Sequence, residues 1–303
     1  MLVSTGSYTG TGSALSITGV GFLPDLVLVK GETAINAHFK TTQHGTNESI
    51  TIRGDVSVVT DAITTLDSDG FSLGVSTNVN GSGVAFHYLA VKDDGNGDFK
   101  TGTFTGDATD GLAITGVGFQ PAFVLIKSRS SITGAMKFAG QTNTSVVYNG
   151  GDDRTDLITT LDADGFTVNN GSASGGNLVN VNAKTHYYFA FKAVSSYITA
   201  FQYAGNSTDN RDITTPGFQP EFVIVAAIWG RDRVIRFSSQ SGDASQSFDG
   251  ATTTDRIQGF ISTGFQVGAN DAANVTGTNL NALAIRSNPV AAAATNSNFF
   301  QFF

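Results

Sequence analysis

The chain has 303 residues, 17 basic and 25 acidic side chains for a formal charge of −8, and no cysteine. Its charged fraction of 14% is well under the ~25% of an average soluble domain, yet 23 phenylalanines set it apart from charged, aromatic-poor disordered chains. Without cysteine there are no disulfides, thiolate metal sites or cysteine nucleophiles. The acidic balance argues against a nucleic-acid partner, which needs a basic surface, and no window reaches the ~20 apolar residues of a spanning helix. Met1–Gly6 has neither the basic nor the apolar region of a signal peptide.

In chain order, Tyr8-Thr9-Gly10 is followed by Gly21-Phe22-Leu23-Pro24 and the apolar run Leu26–Lys30. Then come Asp61–Leu66, Gly70-Phe71 and Tyr88–Lys92. The same order returns as Phe104-Thr105-Gly106, Gly118-Phe119-Gln120-Pro121, Phe123–Lys127, Asp156–Leu161, Gly165-Phe166 and Tyr188–Lys192. It returns again, more diverged, as Tyr203-Ala204-Gly205, Gly217-Phe218-Gln219-Pro220, Phe222–Val225, Asp255–Phe260, Gly264-Phe265 and Ala282–Arg286. An offset of about 95–100 residues separates the copies, too long for a solenoid unit of about 20–45 residues.

Short segments rich in Val, Ile, Phe, Tyr and Thr, bounded by Gly, Asn, Asp and Pro, predict strands. The run after each Gly-Phe-x-Pro is apolar at successive positions, so it is expected to be buried on both faces, with Phe22, Phe119 and Phe218 buried beside it. The expected fold is all-β: three tandem β-sandwich or jelly-roll-like modules over 1–98, 99–196 and 197–288, then an apolar tail over 289–303. A permuted boundary, with the strand after each junction belonging to the preceding module, fits equally.

No motif carries chemistry. Asp67-Ser68-Asp69-Gly70 and Asp162-Ala163-Asp164-Gly165 resemble the front of a calcium loop but lack its later ligands, and read as Asp-Gly turns. Asp94-Gly95-Asn96-Gly97-Asp98 has oxygens spaced for a hard cation and reads otherwise as a flexible linker. Aligning Lys92 with Lys192 sets His87 opposite Tyr187, so His87 and His186 belong to opposite faces; neither they nor His38 and His44 have helical zinc spacing. There is no Gly-x-Ser-x-Gly elbow, and no acidic pair recurs in all three copies. The copies share only Gly, Pro, Phe, aliphatic and turn positions, so no catalytic, cofactor or metal residue is assigned and no enzyme is expected. Trp229, within Ile228–Arg233, caps its own module or offers a surface contact to a partner or sugar through the loop 229–236.

The ordered pattern of Tyr-Thr-Gly, Gly-Phe-x-Pro with its following Val-x-Ile-Lys strand, Asp-x-Ile, Asp-Gly-Phe and a closing aromatic-Ala-Phe-Lys strand resembles a repeat module of tailed-bacteriophage virion proteins of the tail-fibre or particle-surface type. Copy three departs from it at Ala226 and at the Asp-x-Asp-Gly turn. The resemblance implies a non-enzymatic structural component, a head-decoration or tail/fibre protein, assembled in the bacterial cytoplasm and present in multiple copies. Its partners would be other virion proteins. A receptor- or glycan-binding adhesin, and a polysaccharide hydrolase, are the alternatives. The tail ends in Phe299-Phe300-Gln301-Phe302-Phe303, which forgoes roughly 1.5–3 kcal/mol of burial per ring if left in water. It either packs on the third module or docks on a neighbouring subunit.

Overall fold

In the computed structural model, residues 1–52, 58–142, 144–148, 153–171, 178–227 and 230–289 are described. Trp229 and the four tail phenylalanines (Phe299, Phe300, Phe302 and Phe303) lie outside them. Among the described residues strand accounts for 48% and helix for 3%, so the chain is all-β, built from repeated β-sandwich modules.

The first module contains β1 (Leu2–Thr9), β2 (Leu15–Thr18), β3 (Leu26–Gly31), β4 (His38–Thr41), β5 (Glu48–Thr51), β6 (Val59–Thr60), β7 (Ile63–Asp67), β8 (Gly70–Leu73), the single turn α1 (Thr77–Asn80) and β9 (Ala85–Lys92). A large antiparallel sheet runs β1-β9-β3-β4-β5-β6, and a small one β2-β8-β7. The second module repeats this with β10 (Phe99–Thr105), β11 (Leu112–Thr115), β12 (Phe123–Ser128), β13 (Ala135–Phe138), β14 (Val146–Val147), β15 (Ile158–Asp162), β16 (Gly165–Val168) and β17 (Thr185–Phe191). Its sheets run β10-β17-β12-β13-β14 and β11-β16-β15. The third has β18 (Ile198–Ala204), β19 (Arg211–Ile213), β20 (Phe222–Ala226), β21 (Arg233–Phe237), β22 (Gln246–Ser247), β23 (Ile257–Ile261), β24 (Gly264–Val267), the turn α2 (Asp271–Asn274) and β25 (Asn279–Ile285). Its sheets run β18-β25-β20-β21-β22 and β19-β24-β23. In every module the first and last strands pair along their length.

Alternation along the central strands explains their burial on both faces. In β3, Val27 and Val29 point to the first module's own small sheet, whereas Leu26 and Leu28 point the other way. In β12 the split is Val124 and Ile126 against Phe123 and Leu125; in β20 it is Val223 and Val225 against Phe222 and Ile224. The second set of side chains, with Leu89, Val91, Phe189, Phe191, Leu283 and Ile285 from the closing strands, forms one apolar core that draws on all three modules. The β-sandwich modules therefore form a ring around a common centre. Phe119 and Phe218 are buried, 4% and 3% exposed. Phe22 is only half-buried, packed against its module's core from the rim.

One close approach explains the Gly of each Gly-Phe pair. A Cβ on Gly70, Gly165 or Gly264 would lie 2.0, 1.9 or 2.0 Å from the carbonyl oxygen of Ile17, Ile114 or Ile213 on the neighbouring strand. Only glycine admits that contact.

Candidate functional site: the module seams and the buried cations

Three seams close the ring, and the first and third use corresponding positions. The loop after β4 meets the second module's first strand at Thr42 and Thr101, whose hydroxyls are 3.3 Å apart. Gly140 lies against Gln202 in the next seam, and Ser238 bonds Thr5 in the third. Aromatic pairs cross the same seams: Phe39 with Phe189, Tyr148 with Phe248, and Phe237 with His87. At one end of the pseudo-threefold axis the residues just before each first strand converge. The Met1 ammonium and the Tyr197 hydroxyl both donate to Asp98 Oδ2, at 2.9 and 2.6 Å.

The polar locks differ from seam to seam. Between the first and second modules, Arg129 forms a fork with Glu48 at 2.7 and 3.1 Å, and donates to the Tyr187 hydroxyl at 2.8 Å. Tyr187 stacks on His44 with centroids 3.9 Å apart. Between the second and third, Arg233 Nε donates to Val147 O at 3.1 Å. Between the third and first, Phe248 O accepts from Ala37 N, and Gln246 Nε2 donates to Gly31 O at 2.9 Å.

His87 completes the third seam, with Nδ1 2.8 Å from Ser239 Oγ and Nε2 3.1 Å from Glu32 Oε1. The order Ser–His–carboxylate invites a nucleophilic reading, but the geometry is that of a clamp. Ser239 Oγ donates to Gly6 O at 3.0 Å, and Glu32, which would orient the imidazole, is itself 45% exposed. Burial, outweighing Glu32, holds the His87 imidazole below its ordinary pKa. Its counterpart is Tyr187, as the alignment of the closing strands requires: Tyr88 faces Gly6 and Tyr188 faces Gly102. His186, one position out of step, stacks on Phe104 on the opposite face.

Two sets of buried cations escape a reading from sequence. Lys30 and Lys127 are fully buried in the strand after Gly-Phe-x-Pro. Lys30 Nζ donates to Gly31 O and to Thr33 O, the latter at 2.9 Å, and Lys127 Nζ donates to Ile132 O. In copy three the position is Ala226, but Ala226 pairs with Arg233 on the adjacent strand. Arg233 is 1% exposed and donates to Ala227 O at 3.0 Å and to Arg231 O. Ala227 corresponds to Gly31, so the same carbonyl is capped from the facing position. Loss of the lysine is compensated across the ladder.

The second set is shared by all three copies and corrects the expectation that only apolar and turn positions recur. Lys40, Lys137 and Arg236 face Val27, Val124 and Val223, and each binds carbonyls of the loop that follows its own strand, Lys40 and Arg236 also one at the start of a later strand, β5 and β23. Lys40 Nζ donates to Gly45 O and Glu48 O, both at 2.7 Å; Lys137 Nζ donates to Thr144 O at 2.5 Å. Arg236 donates to Ala244 O, Gly242 O and Ile257 O. Burial, opposed by Glu48, lowers Lys40 to about 8; burial, opposed by Asp153, does the same to Lys137. The available signal was Lys or Arg beside Phe in Phe39-Lys40, Lys137-Phe138 and Arg236-Phe237.

The acidic turns are occupied by the fold. Asp69 accepts from Gly21 N and Gly19 N, and Asp164 from Gly118 N and Gly116 N, at 2.7 to 3.0 Å. These bonds hold both carboxyls below the usual range. In copy three the backbone carbonyl of Thr263 takes over, accepting from Gly217 N. Asp93, Asp94 and Asp98 form a cluster of metal-ligand type, but the Met1 ammonium sits 2.8 Å from Asp94 and 2.9 Å from Asp98. Asp98 is buried and Asp93 N donates to Asp25 at 2.9 Å, so this junction is tied down and is not a free linker. The expected loop 229–236 is shorter: Arg233–Arg236 belong to the buried strand β21, and Gly230, Arg231 and Asp232 border a cavity of about 380 Å³ with Arg256, Asn270 and Asp271. Its arginines are paired, Arg231 with Asp271 at 2.9 Å and Arg256 with Asp232 at 2.8 Å.

This unit, a two-sheet module of about a hundred residues with a buried cation under its third-strand hairpin, is matched by a family model described as a domain of unknown function, DUF7483, at residues 2–97 and again at 94–195. The chain belongs to the DUF7483 family. The third module lies outside both matched spans, in keeping with its departures at Ala226, Ile261 and Thr263. No curated protein and no solved structure matches the chain. No helix among the described residues is long and apolar enough to cross a membrane.

Proposed function

We propose that this DUF7483 chain is a non-enzymatic structural component of a tailed-phage virion, a head-decoration or tail/fibre protein that works through protein–protein contacts in multiple copies on the particle. The observation that carries the reading is the closed ring of three modules on one apolar core. Such a body is rigid and presents similar outer surfaces in three directions, the arrangement that a symmetric assembly engages. What the copies share supports the same reading. The recurring cation caps backbone carbonyls, the recurring glycine admits a carbonyl, and the recurring aspartates of the first two copies bond backbone amides. These positions are spent on folding. The resemblance of the repeat pattern to particle-surface modules supplies the virion, and with it assembly in the host cytoplasm.

Mass spectrometry and antibody-labelled electron microscopy of purified particles test the proposal. The chain is expected at a stoichiometric multiple of the particle's symmetry, with label at one discrete location. Particles that lack it, or turnover of a surface polysaccharide by the purified chain, would overturn the assignment.

A further inference from the structure

The ring carries the same groove twice. In the second module, Gln120, the 138–142 loop and the bulged strand β15 enclose about 530 Å³. In the first, Leu23, the 41–46 loop and β7 enclose about 290 Å³. The walls correspond residue for residue: Thr64, Thr65 and Leu66 with Thr159, Thr160 and Leu161, His44 with Gln141, and Lys40 with Lys137. Each strand has its register shift at the first threonine, between Ile63 and Thr65 and between Ile158 and Thr160, as does the third module's strand between Ile257 and Gly259, so the shift is part of the shared module and sets how these side chains face the groove.

The chemistry of the walls is selective. The chain has a net charge of −8, yet among the described residues no carboxylate lines either groove. The lysine beneath each is committed to loop carbonyls and is not offered to an anion. Gln141 is held by Phe138 N and Asp153, and Gln120 Nε2 donates to Leu161 O; what lines the grooves besides is uncharged: Thr46, Thr65, Thr142 and Thr160 hydroxyls, the carbonyl end of Gln120, and small aliphatic surface from Pro121, Ala122, Ala139 and Leu161. Thr64 and Thr159 spend their protons on Ser72 O and Thr167 O and leave lone pairs to accept. Alternating donors and acceptors beside short aliphatic patches match the hydroxyl edges and C–H faces of sugar rings, and the larger groove is within the ~300–1,000 Å³ of small-ligand sites. In copy three the threonine pair becomes Gln258 and Gly259, and Phe260 lies under Arg236 at 5.7 Å.

We propose that the grooves of the first and second modules are a pair of binding sites for a neutral oligosaccharide, and that the third module has lost the site. This goes beyond the structural role above and is independent of it. Two weak sites on one rigid body raise avidity without new contacts.

The test is titration of the purified full chain with neutral oligosaccharides of glucose, galactose, mannose and N-acetylglucosamine, with oligogalacturonate as the charged control, followed by calorimetry and saturation-transfer NMR. Binding of a neutral sugar at about two sites per chain is expected. Thr65→Trp and Thr160→Trp should each remove one site, and the double variant both, with the melting temperature unchanged. A destabilised variant is replaced by Thr65→Val or Thr160→Val, expected to weaken its site about tenfold. Absence of any neutral-sugar binding, binding of oligogalacturonate alone, or full binding by the folded double variant would overturn the proposal. None of these outcomes bears on whether the chain is in a virion.

Discussion

Arg233→Ala tests whether the third module's arginine stands in for the lysine that the other two have. Arg233 is 1% exposed and caps Val147 O, Ala227 O and Arg231 O. Truncation leaves buried acceptors without donors, at about 1–3 kcal/mol each. The desolvation of the guanidinium, no longer required, offsets part of that sum. We expect a net loss of about 3–5 kcal/mol, the range seen when one member of a buried polar set is removed. The decisive variant is the double one. Ala226 faces Arg233 in the ladder and occupies the position of Lys30 and Lys127, while Arg233 occupies the position of Ala37 and Gly134. Ala226→Lys in the Arg233→Ala background should therefore recreate the arrangement of the first two modules and return at least about half of the lost stability. Ala226→Lys alone would bury a second cation beside Arg233 and should destabilise. Urea unfolding followed by tryptophan-independent far-UV circular dichroism measures all three. A single-variant loss under about 1 kcal/mol, or a double variant no better than Arg233→Ala, would refute the compensation.

Recognition sites for a specific protease inserted at Gly95–Asn96 and Ser195–Ser196, both exposed, should allow cutting into three fragments that co-elute on size exclusion, because the common core holds them; separation after cutting would contradict the shared core. Phe189→Ala, at the centre of that core, should cost about 3–5 kcal/mol, whereas Arg129→Ala, which removes a half-exposed pair, should cost less than about 1 kcal/mol; chemical denaturation ranks the two. Gly165→Ala must displace Ile114 O and should lose about 1–3 kcal/mol, read as a lower urea midpoint with an unchanged slope. Stability should rise with pH in two windows. Burial lowers His38 and His186 to about 4 and His44 to about 3, so between pH 4 and 6.5 the unfolded chain holds more protons and acid destabilises the fold. Burial, opposed by Glu32, lowers Lys30 to about 7; the unfolded state therefore holds the extra proton from about pH 7 upward, and stability climbs again towards pH 10. Melting temperatures across this range check both; a flat profile from 7 to 9.5, or one unchanged by Lys30→Met, would count against the second window.

Much of this architecture is written locally. Strand after strand follows from β-branched and aromatic runs punctuated by Gly, Asn and Pro, and the opposite facing of His87 and His186 follows from a one-residue offset in a period of two. The unbroken apolar run after each Gly-Phe-x-Pro also announces that both faces are covered. It does not say by what. Alternation reports that Leu26 and Leu28 leave water, but the atoms that cover them belong to strands about a hundred and two hundred residues away, and no local pattern encodes that partner. The buried cations were illegible for a related reason. A lysine at the end of a strand normally reads as a solvated end, and only the third dimension shows Lys30 and Lys127 turned onto backbone carbonyls. The exchange of Lys30 for Ala226 and of Ala37 for Arg233 makes sense only once the ladder register sets residues 226 and 233 face to face. The grooves likewise draw each wall from segments some forty residues apart, brought together by the packing of the small sheet on the large one. Local propensity determined which segments became strands; the pairing register and the closure of three sheets on one another decided what each strand touches, because burial is a property of the side chain while the identity of the neighbour is a property of the fold.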